Sequence, residues 1–208
     1  LSGTVQSARL AVNMIKEEMP EADITVIDTL CASYGFGMVV QRAAELVRQG
    51  VEKDTLVELV TFYAKHQQHV FSVDNLEYLR RGGRVSNVAA FFGGMLNIKP
   101  VLDVEEGKLI PVYKCRGHKK AMQKLIDMVK ERSTHSDISN QVVGITHSDC
   151  MDTVEEVEAM MREQLGVTKF EVGEIGSVIS CHTGPGTIAI FFVDEWPKEA
   201  AYQVVKKG

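Results

Sequence analysis

Residues 97–115, NIKPVLDVEEGKLIPVYKC, predict a β-hairpin near the middle of the chain. Two strand-like runs, NIKPVLDV and KLIPVYKC, are separated by Glu105-Glu106-Gly107, and a short connection that contains glycine is typical of a hairpin turn. A hairpin pairs its strands antiparallel, whereas neighbouring parallel strands need a longer crossover. This segment therefore predicts an α+β arrangement for the part of the chain that contains it.

The residues before this hairpin alternate between helix and strand patterns. The first helical stripe consists of small and aliphatic residues on one face: Ala8, Val12, Ile15 and Met19. The run ITVID (24–28) is short and β-branched, which is typical of a buried strand. Further helical stripes cover residues 39–47 and 56–63. This alternation predicts a parallel sheet covered by helices.

The second part of the chain mixes hairpin-like strands with amphipathic helices. Strand-like runs (HVFSV, VVGIT, FEVGEI and IAIFFV) alternate with helical stripes over residues 121–129 and 154–165. We therefore expect an α/β protein of two domains. Residues 1–73 would form the remainder of a parallel α/β domain, and residues 74–208 an α+β domain with a mixed or antiparallel sheet. Because the chain begins at Leu1 without methionine and inside a motif, we also expect that an N-terminal part of the first domain is missing.

Composition excludes several classes of protein. The chain has 208 residues, 45% of them hydrophobic and 25% charged, a balance typical of a globular protein. Its net charge of −5 argues against nucleic acid as the main partner, because phosphate binding needs a broad basic surface. The four cysteines lack the spacing of a zinc site and are expected to be reduced, which favours a cytoplasmic protein: Cys31, Cys115, Cys150 and Cys181.

Two segments are candidates for binding an anion. Ser2-Gly3-Thr4 directly precedes the first helix, where hydroxyls and free backbone N–H groups suit an anion, although these residues can equally be a plain helix cap. The segment HTGPGT (182–187) is expected in a loop between two strands, where His182 can donate a hydrogen bond to a carboxylate. A tight turn with an incidental histidine is the alternative for this loop.

Two further groups of residues have possible ligand roles. Arg84 and Arg116 stand out from the basic residues in this acidic chain, because each lies beside glycine at the end of an element and can contact a ligand or a partner. The segment 33–37 follows Asp28 at the end of a predicted strand, where open α/β sheets bind ligands. A role for Asp28 in capping the next helix is the alternative there.

Taken together, these segments resemble the DegV family of bacterial fatty-acid-binding proteins. The resemblance extends in order along nearly the whole chain and rests on six stretches: LSGTVQSA (1–8), VIDTLCASYGFG (26–37), LEYLRRGGRVS (76–86), LNIKPVL (96–102), GKLIPVYKCRGHKKA (107–121) and HTGPGTIAIFF (182–192). Small departures occur, since Thr29 replaces the usual serine and Val5 a common aromatic residue.

The resemblance implies a protein that holds one long-chain fatty acid between two domains. The carboxylate would be bound at Ser2, Gly3 and Thr4 with support from His182. Arg84 and Arg116 would face a separate fatty-acid kinase or the transferred phosphate. That kinase would supply ATP and metal and make the acyl phosphate, so this chain would be neither an enzyme nor the holder of a cofactor or metal. No membrane span is expected, although transient membrane contact is compatible with this role.

Burial of the hydrocarbon would supply most of the affinity. Each buried CH₂ contributes about 0.8 kcal/mol, so a dozen contribute on the order of 10 kcal/mol before the costs of association. The apolar residues after the GGRV segment are candidates to line a tunnel, with ordinary core positions as the alternative: Phe91, Phe92, Met95 and Leu96.

Two other functions are compatible with the sequence. The chain can be a hydrolase or transferase for a small acyl or phosphate substrate, with Ser2 as nucleophile and His182 or His147 as base. It can also be a regulatory ligand-binding protein without a kinase partner.

Overall fold

The structure is a computed structural model that describes residues 1–85 and 97–198. It contains a six-stranded mixed sheet in the order β3-β2-β1-β6-β4-β5, with helices on both faces. The strands are β1 (Gln67–Ser72), β2 (Ile98–Glu105), β3 (Lys108–Arg116), β4 (Val142–His147), β5 (Lys169–Glu174) and β6 (Ile188–Val193). The helices are α1 (Thr4–Glu18), α2 (Ser33–Arg48), α3 (Lys53–His66), α4 (Glu77–Arg81), α5 (His118–Arg132), α6 (Met151–Leu165) and α7 (Ser177–Thr183).

The predicted hairpin is confirmed. β2 and β3 pair antiparallel up to Glu105 and Lys108, and Gly107 adopts a left-handed backbone with φ +70° in the turn between them. β1 pairs antiparallel with both β2 and β6, and β6 pairs antiparallel with β4. Within the described sheet, β4 and β5 are the one parallel pair. The mixed α/β class is therefore confirmed.

Strand β6 lies at the centre of the core. All six of its residues are buried, because helices cover both faces of the sheet at this strand. Ile188, Ile190 and Phe192 pack in the cluster that contains α5 and α6. Ala189 and Phe191 face the opposite side, where they pack with α4 and with Tyr34 of α2. The unbroken apolar run IAIFFV is thus the sequence signature of a strand buried on two sides.

The predictions for the first part of the chain need correction. Residues 24–28 form no strand, because no described strand pairs with them, and Ile24 is 39% exposed rather than buried. The predicted parallel sheet is consequently not formed by the described part of residues 1–73, whose one strand, β1, lies within the mixed sheet. The division into domains at residues 73 and 74 stays a prediction.

A second correction concerns the segment before β6. The HTGPGT segment (182–187), expected in a loop, begins inside the short helix α7, which ends at Thr183, so His182 lies in the last turn of a helix. Within residues 1–85 and 97–198, no helix combines the length and apolar character that a membrane span requires.

His69 on β1 ties the start of α2 to the sheet. Its Nε2 accepts a hydrogen bond of 3.2 Å from the backbone N–H of Ala32, and its Nδ1 donates one of 3.1 Å to the carbonyl of Gln67. Gly35 makes room for the ring, since a Cβ at that position would lie 2.2 Å from Nε2. Burial lowers the pKa of His69 to about 4 and keeps the imidazole neutral.

Acidification should destabilise the fold through His69. Between pH 6.5, the ordinary pKa, and about 4, the unfolded chain binds a proton at this residue and the folded chain does not. The free energy of unfolding should therefore fall by roughly 3 kcal/mol across this range. Urea unfolding at several pH values between 4.5 and 7 measures how the free energy of unfolding changes with pH. This pH dependence should weaken in His69→Gln and persist in the control His135→Gln, whose histidine is exposed. An unchanged pH dependence in His69→Gln would contradict the assignment to His69.

Candidate functional site

A cavity of about 480 Å³ opens where α1 begins. It is formed by the chain start, the glycine turn before Val85 and the tip of the β2–β3 hairpin. The lining residues are Leu1, Ser2, Gly3, Gly83, Arg84, Val85, Gly107, Lys108 and Leu109. We call this cavity the Ser2 cavity. The structure thus brings together two predicted groups, the Ser2-Gly3 helix start and Arg84, which are about 80 residues apart in sequence.

The start of α1 leaves polar groups available to a ligand. Gly3 is the N-cap residue, and no side chain caps the first turn. Ser2 Oγ donates a hydrogen bond of 3.1 Å to Thr4 Oγ1, and Thr4 N–H approaches Ser2 Oγ at 3.4 Å. These three residues are exposed. Ser2 and Gly3 line the cavity, and Thr4 follows them as the first residue of α1 without lining it.

A glycine turn positions Arg84. Gly83 has φ +65°, a left-handed conformation that glycine adopts without strain, and the N–H of Arg84 then donates to the carbonyl of Leu79 at 3.0 Å. The guanidinium of Arg84 donates a hydrogen bond of 2.6 Å to the carbonyl of Gly82 and remains exposed. A bridge between Val85 and Leu109 joins this turn to β3.

His182 reaches the same turn from α7. A Cβ on Gly82 would lie 2.1 Å from His182 Nδ1, so the imidazole packs directly on the backbone of this glycine. Two further glycines of the HTGPGT segment allow similar contacts, Gly184 against the ring of Tyr78 and Gly186 against Asp74. His182 is not among the residues that line the Ser2 cavity; it lies beside Gly82, the residue whose carbonyl holds Arg84.

Arg116 lies far from this group. It is the last residue of β3, whereas Leu109 at the other end of the strand borders the Ser2 cavity. With a rise of about 3.4 Å per residue, the strand separates the two positions by about 24 Å. Arg84 and Arg116 consequently do not contact one phosphate together. Phe91, Phe92, Met95 and Leu96 lie outside the described residues, and their tunnel role stays a prediction.

The residues for nucleophilic catalysis are not assembled. The Ser2 hydroxyl donates to Thr4, and among the described residues no histidine accepts a hydrogen bond from it. His147 Nδ1 instead accepts one from the N–H of Cys150, at 3.4 Å. Within residues 1–85 and 97–198 there is likewise no group of three or more His, Cys, Asp or Glu arranged to hold a metal ion.

A second cavity, of about 600 Å³, lies between α2, α7 and the ends of β4 and β5. The segment after Asp28, a candidate for ligand binding from the sequence, forms one wall of this cavity. Its lining residues are Ser33, Tyr34, Phe36 and Gly37. Asp28 itself accepts the N–H of Leu30 at 3.1 Å and so has a local structural role. The opposite wall was missed, because Thr146 and residues 171–174 approach α2 only through tertiary packing. Lys108 of the Ser2 cavity was also missed.

The family model of DegV, described as "Uncharacterised protein, DegV family", matches residues 1–195. The chain belongs to the DegV family. A DegV domain-containing protein of Clostridium perfringens is 37% identical over 196 residues, which are 94% of this chain and 67% of that protein.

Solved DegV structures share the fold. A fatty-acid-binding DegV family protein from Thermus thermophilus is 34% identical with a TM-score of 0.81, over 91% of this chain and 66% of that one. A DegV lipid-binding protein from Thermotoga maritima is 33% identical with a TM-score of 0.77, over 92% of this chain and 64% of that one. The chain thus spans about two thirds of the length of these DegV relatives.

Replacing Gly82 with alanine should displace His182. The new methyl group would lie within 2.1 Å of Nδ1, so either the imidazole or the turn has to move. Such overpacking costs about 1–3 kcal/mol of unfolding free energy. Urea unfolding and the imidazole NMR signals of His182 measure both effects. Gly176→Ala, at the start of the same α7, is the control because no atom lies within 4 Å of its Cβ position. Unchanged His182 signals in Gly82→Ala would show that the contact is absent.

Proposed function

We propose that this DegV chain binds the carboxylate of a long-chain fatty acid at the Ser2 cavity and the adjoining His182. One observation carries the proposal: Ser2 and Arg84 line one cavity, and His182 packs on the glycine turn that holds Arg84. The relatives from Thermus thermophilus and Thermotoga maritima, named for fatty-acid and lipid binding, support the same ligand class.

The groups at the cavity meet the requirements of a carboxylate. A carboxylate removed from water is very costly unless hydrogen bonds replace its hydration. Ser2 and Thr4 supply hydroxyls, the uncapped first turn of α1 supplies backbone N–H groups, and Arg84 supplies a cation at the mouth. His182, which packs on Gly82 beside Arg84, supplies a further donor. The hydrocarbon chain would extend from this polar end along apolar surface. Burial of each CH₂ would contribute about 0.8 kcal/mol.

We further propose that the protein presents the bound acid to a separate kinase that makes the acyl phosphate. The exposed position of Arg84 at the mouth of the cavity supports a role beside the reacting headgroup. Arg116, exposed at the far end of β3, is assigned to the surface that meets the kinase. A cytoplasmic location, the tunnel residues after Val85 and the placement of the lipid between two domains belong to the same proposal.

The headgroup assignment predicts weaker fatty-acid binding in two variants. Ser2→Ala and His182→Ala each remove a hydrogen bond to a charged group, worth about 1.5 kcal/mol or more, so the Kd for palmitate should rise about tenfold. Fluorescence displacement measures the affinity, and mass spectrometry after organic extraction tests for stoichiometric lipid. Thr134→Ala and His135→Ala, both exposed, are the controls. Wild-type affinity in both headgroup variants would refute the assignment.

The kinase proposal predicts a separate effect for Arg116. Arg116→Ala should leave the Kd for palmitate unchanged, because the residue lies about 24 Å along β3 from the cavity. It should slow acyl-phosphate formation with the kinase, because a charge at a partner surface speeds association. Single-turnover assays over a range of ionic strength measure the rate of acyl-phosphate formation. Loss of palmitate binding, or an unchanged rate at low salt, would remove Arg116 from the partner surface.

A further inference from the structure

Three close contacts join the residues around α4 to the HTGPGT segment. Each of them pairs one residue on the α4 side with one residue of the segment: Asp74 with Gly186, Tyr78 with Gly184, and Gly82 with His182. A Cβ on Gly186 would lie 3.3 Å from Asp74 Oδ1, and a Cβ on Gly184 would lie 2.5 Å from Cδ2 of the Tyr78 ring. The two glycines of the segment therefore let α4 approach its backbone directly.

The spacing of these contacts indicates that α4 runs antiparallel to the segment. The contacting residues recur every four positions on the α4 side and every two positions, in reverse order, on the other side. Four helical residues advance about 6 Å, and two extended residues advance about 6.6 Å. The two spacings match, so a shift of α4 along its axis would displace all three contacts together.

An ion pair ties the start of this α4 region to the sheet. Lys99, on β2, donates a hydrogen bond to the carboxylate of Asp74, which lies between β1 and α4. Burial of Leu79 also holds α4 on the sheet, but apolar burial is non-directional and does not fix the position of a helix along its axis. A hydrogen bond between charged groups has a defined geometry and can fix that position.

Hydrogen bonds hold the HTGPGT segment on the side of β4. The N–H of Gly186 donates to the carbonyl of Ser148 at 2.7 Å, and the N–H of Ser148 donates to the carbonyl of Thr187 at 2.9 Å. Within the segment, Thr187 Oγ1 donates to the carbonyl of Gly184 at 2.8 Å. The segment is therefore braced, and its position against α4 determines where the imidazole of His182 lies.

We propose that Lys99 is a positioning residue of the carboxylate site: through Asp74 it fixes α4 against the HTGPGT segment and thereby sets the position of the His182 imidazole. The inference rests on the proposed function, because the property that Lys99 controls is the binding of the fatty-acid carboxylate beside His182. Lys99 does not line the Ser2 cavity, so its effect on the ligand is indirect. The proposal gives a role to the LNIKPVL stretch (96–102), in which Lys99 lies.

Four variants test this role. Lys99→Met removes the ammonium and keeps an apolar side chain, Asp74→Asn breaks the same ion pair from the other side, and Lys99→Arg retains a cation. Lys53→Met is the matched control, because Lys53 forms a lysine–aspartate ion pair with Asp23 and lies outside the Ser2 cavity. Ion pairs with an exposed carboxylate contribute little to the free energy of unfolding, so urea unfolding should be nearly unchanged in all four variants.

The imidazole NMR signals of His182 should shift in Lys99→Met and Asp74→Asn without any ligand, and they should stay near their wild-type positions in Lys99→Arg and Lys53→Met. The Kd for palmitate should rise about fivefold in the first two variants. This loss is smaller than that expected for His182→Ala, because the donor is displaced and not removed. Lys99→Met combined with His182→Ala should bind palmitate as His182→Ala does, because both substitutions affect the same interaction.

Unchanged His182 signals or an unchanged palmitate Kd in Lys99→Met would overturn the role of Lys99. A further loss of affinity in the double variant would also overturn it, because Lys99 would then act on the ligand by a route other than His182. Wild type that does not bind palmitate would refute the proposed function, whereas His182 signals that depend on Lys99 would still support the positioning of the imidazole. Palmitate binding that is independent of Lys99 would do the reverse.

Discussion

The contact between the imidazole of His182 and the backbone of Gly82 joins α7 to the turn that carries Arg84. It is possible only because Gly82 lacks a Cβ, which would lie 2.1 Å from Nδ1. The same turn holds the guanidinium of Arg84 through the carbonyl of Gly82, and it is joined to β3 by the Val85–Leu109 bridge. The His182–Gly82 contact and the Val85–Leu109 bridge together connect α7, the turn after α4 and the hairpin that borders the start of α1. The chemistry proposed for this DegV chain depends on that connection.

The sheet supplies the rigid frame for these parts. β6 is buried on both faces and pairs with β1 and β4, so it holds the end of the HTGPGT segment in place. The β2–β3 hairpin extends from β1 to the other side and carries Gly107 and Lys108 to the cavity. The residues proposed to bind the carboxylate come from distant parts of the sequence and are therefore positioned by one layer of hydrogen-bonded strands. Binding residues that lie on loops and helix ends, supported by a rigid sheet, are typical of a binding site.

Sequence patterns over a few residues predicted local structure, but they did not predict which distant segments pair with each other. Gly107 and the flanking strand runs predicted the hairpin because turn chemistry is encoded over a few residues. The run 24–28 has strand composition, yet it forms no strand because strand formation needs a hydrogen-bonded neighbour that sequence periodicity does not reveal. The shared cavity of Ser2 and Arg84 is likewise a tertiary result. The separation of Arg84 from Arg116, in contrast, follows from strand length alone once β3 is known.

A crystal structure of this chain with palmitate locates the carboxylate relative to Ser2 and the Gly82–Arg84 turn. We expect the carboxylate within hydrogen-bond distance of Ser2 Oγ and beside the Gly82–Arg84 turn, with the imidazole of His182 directed toward it. A carboxylate in the cavity between α2 and β5, or a headgroup without contact to this turn, would contradict the account.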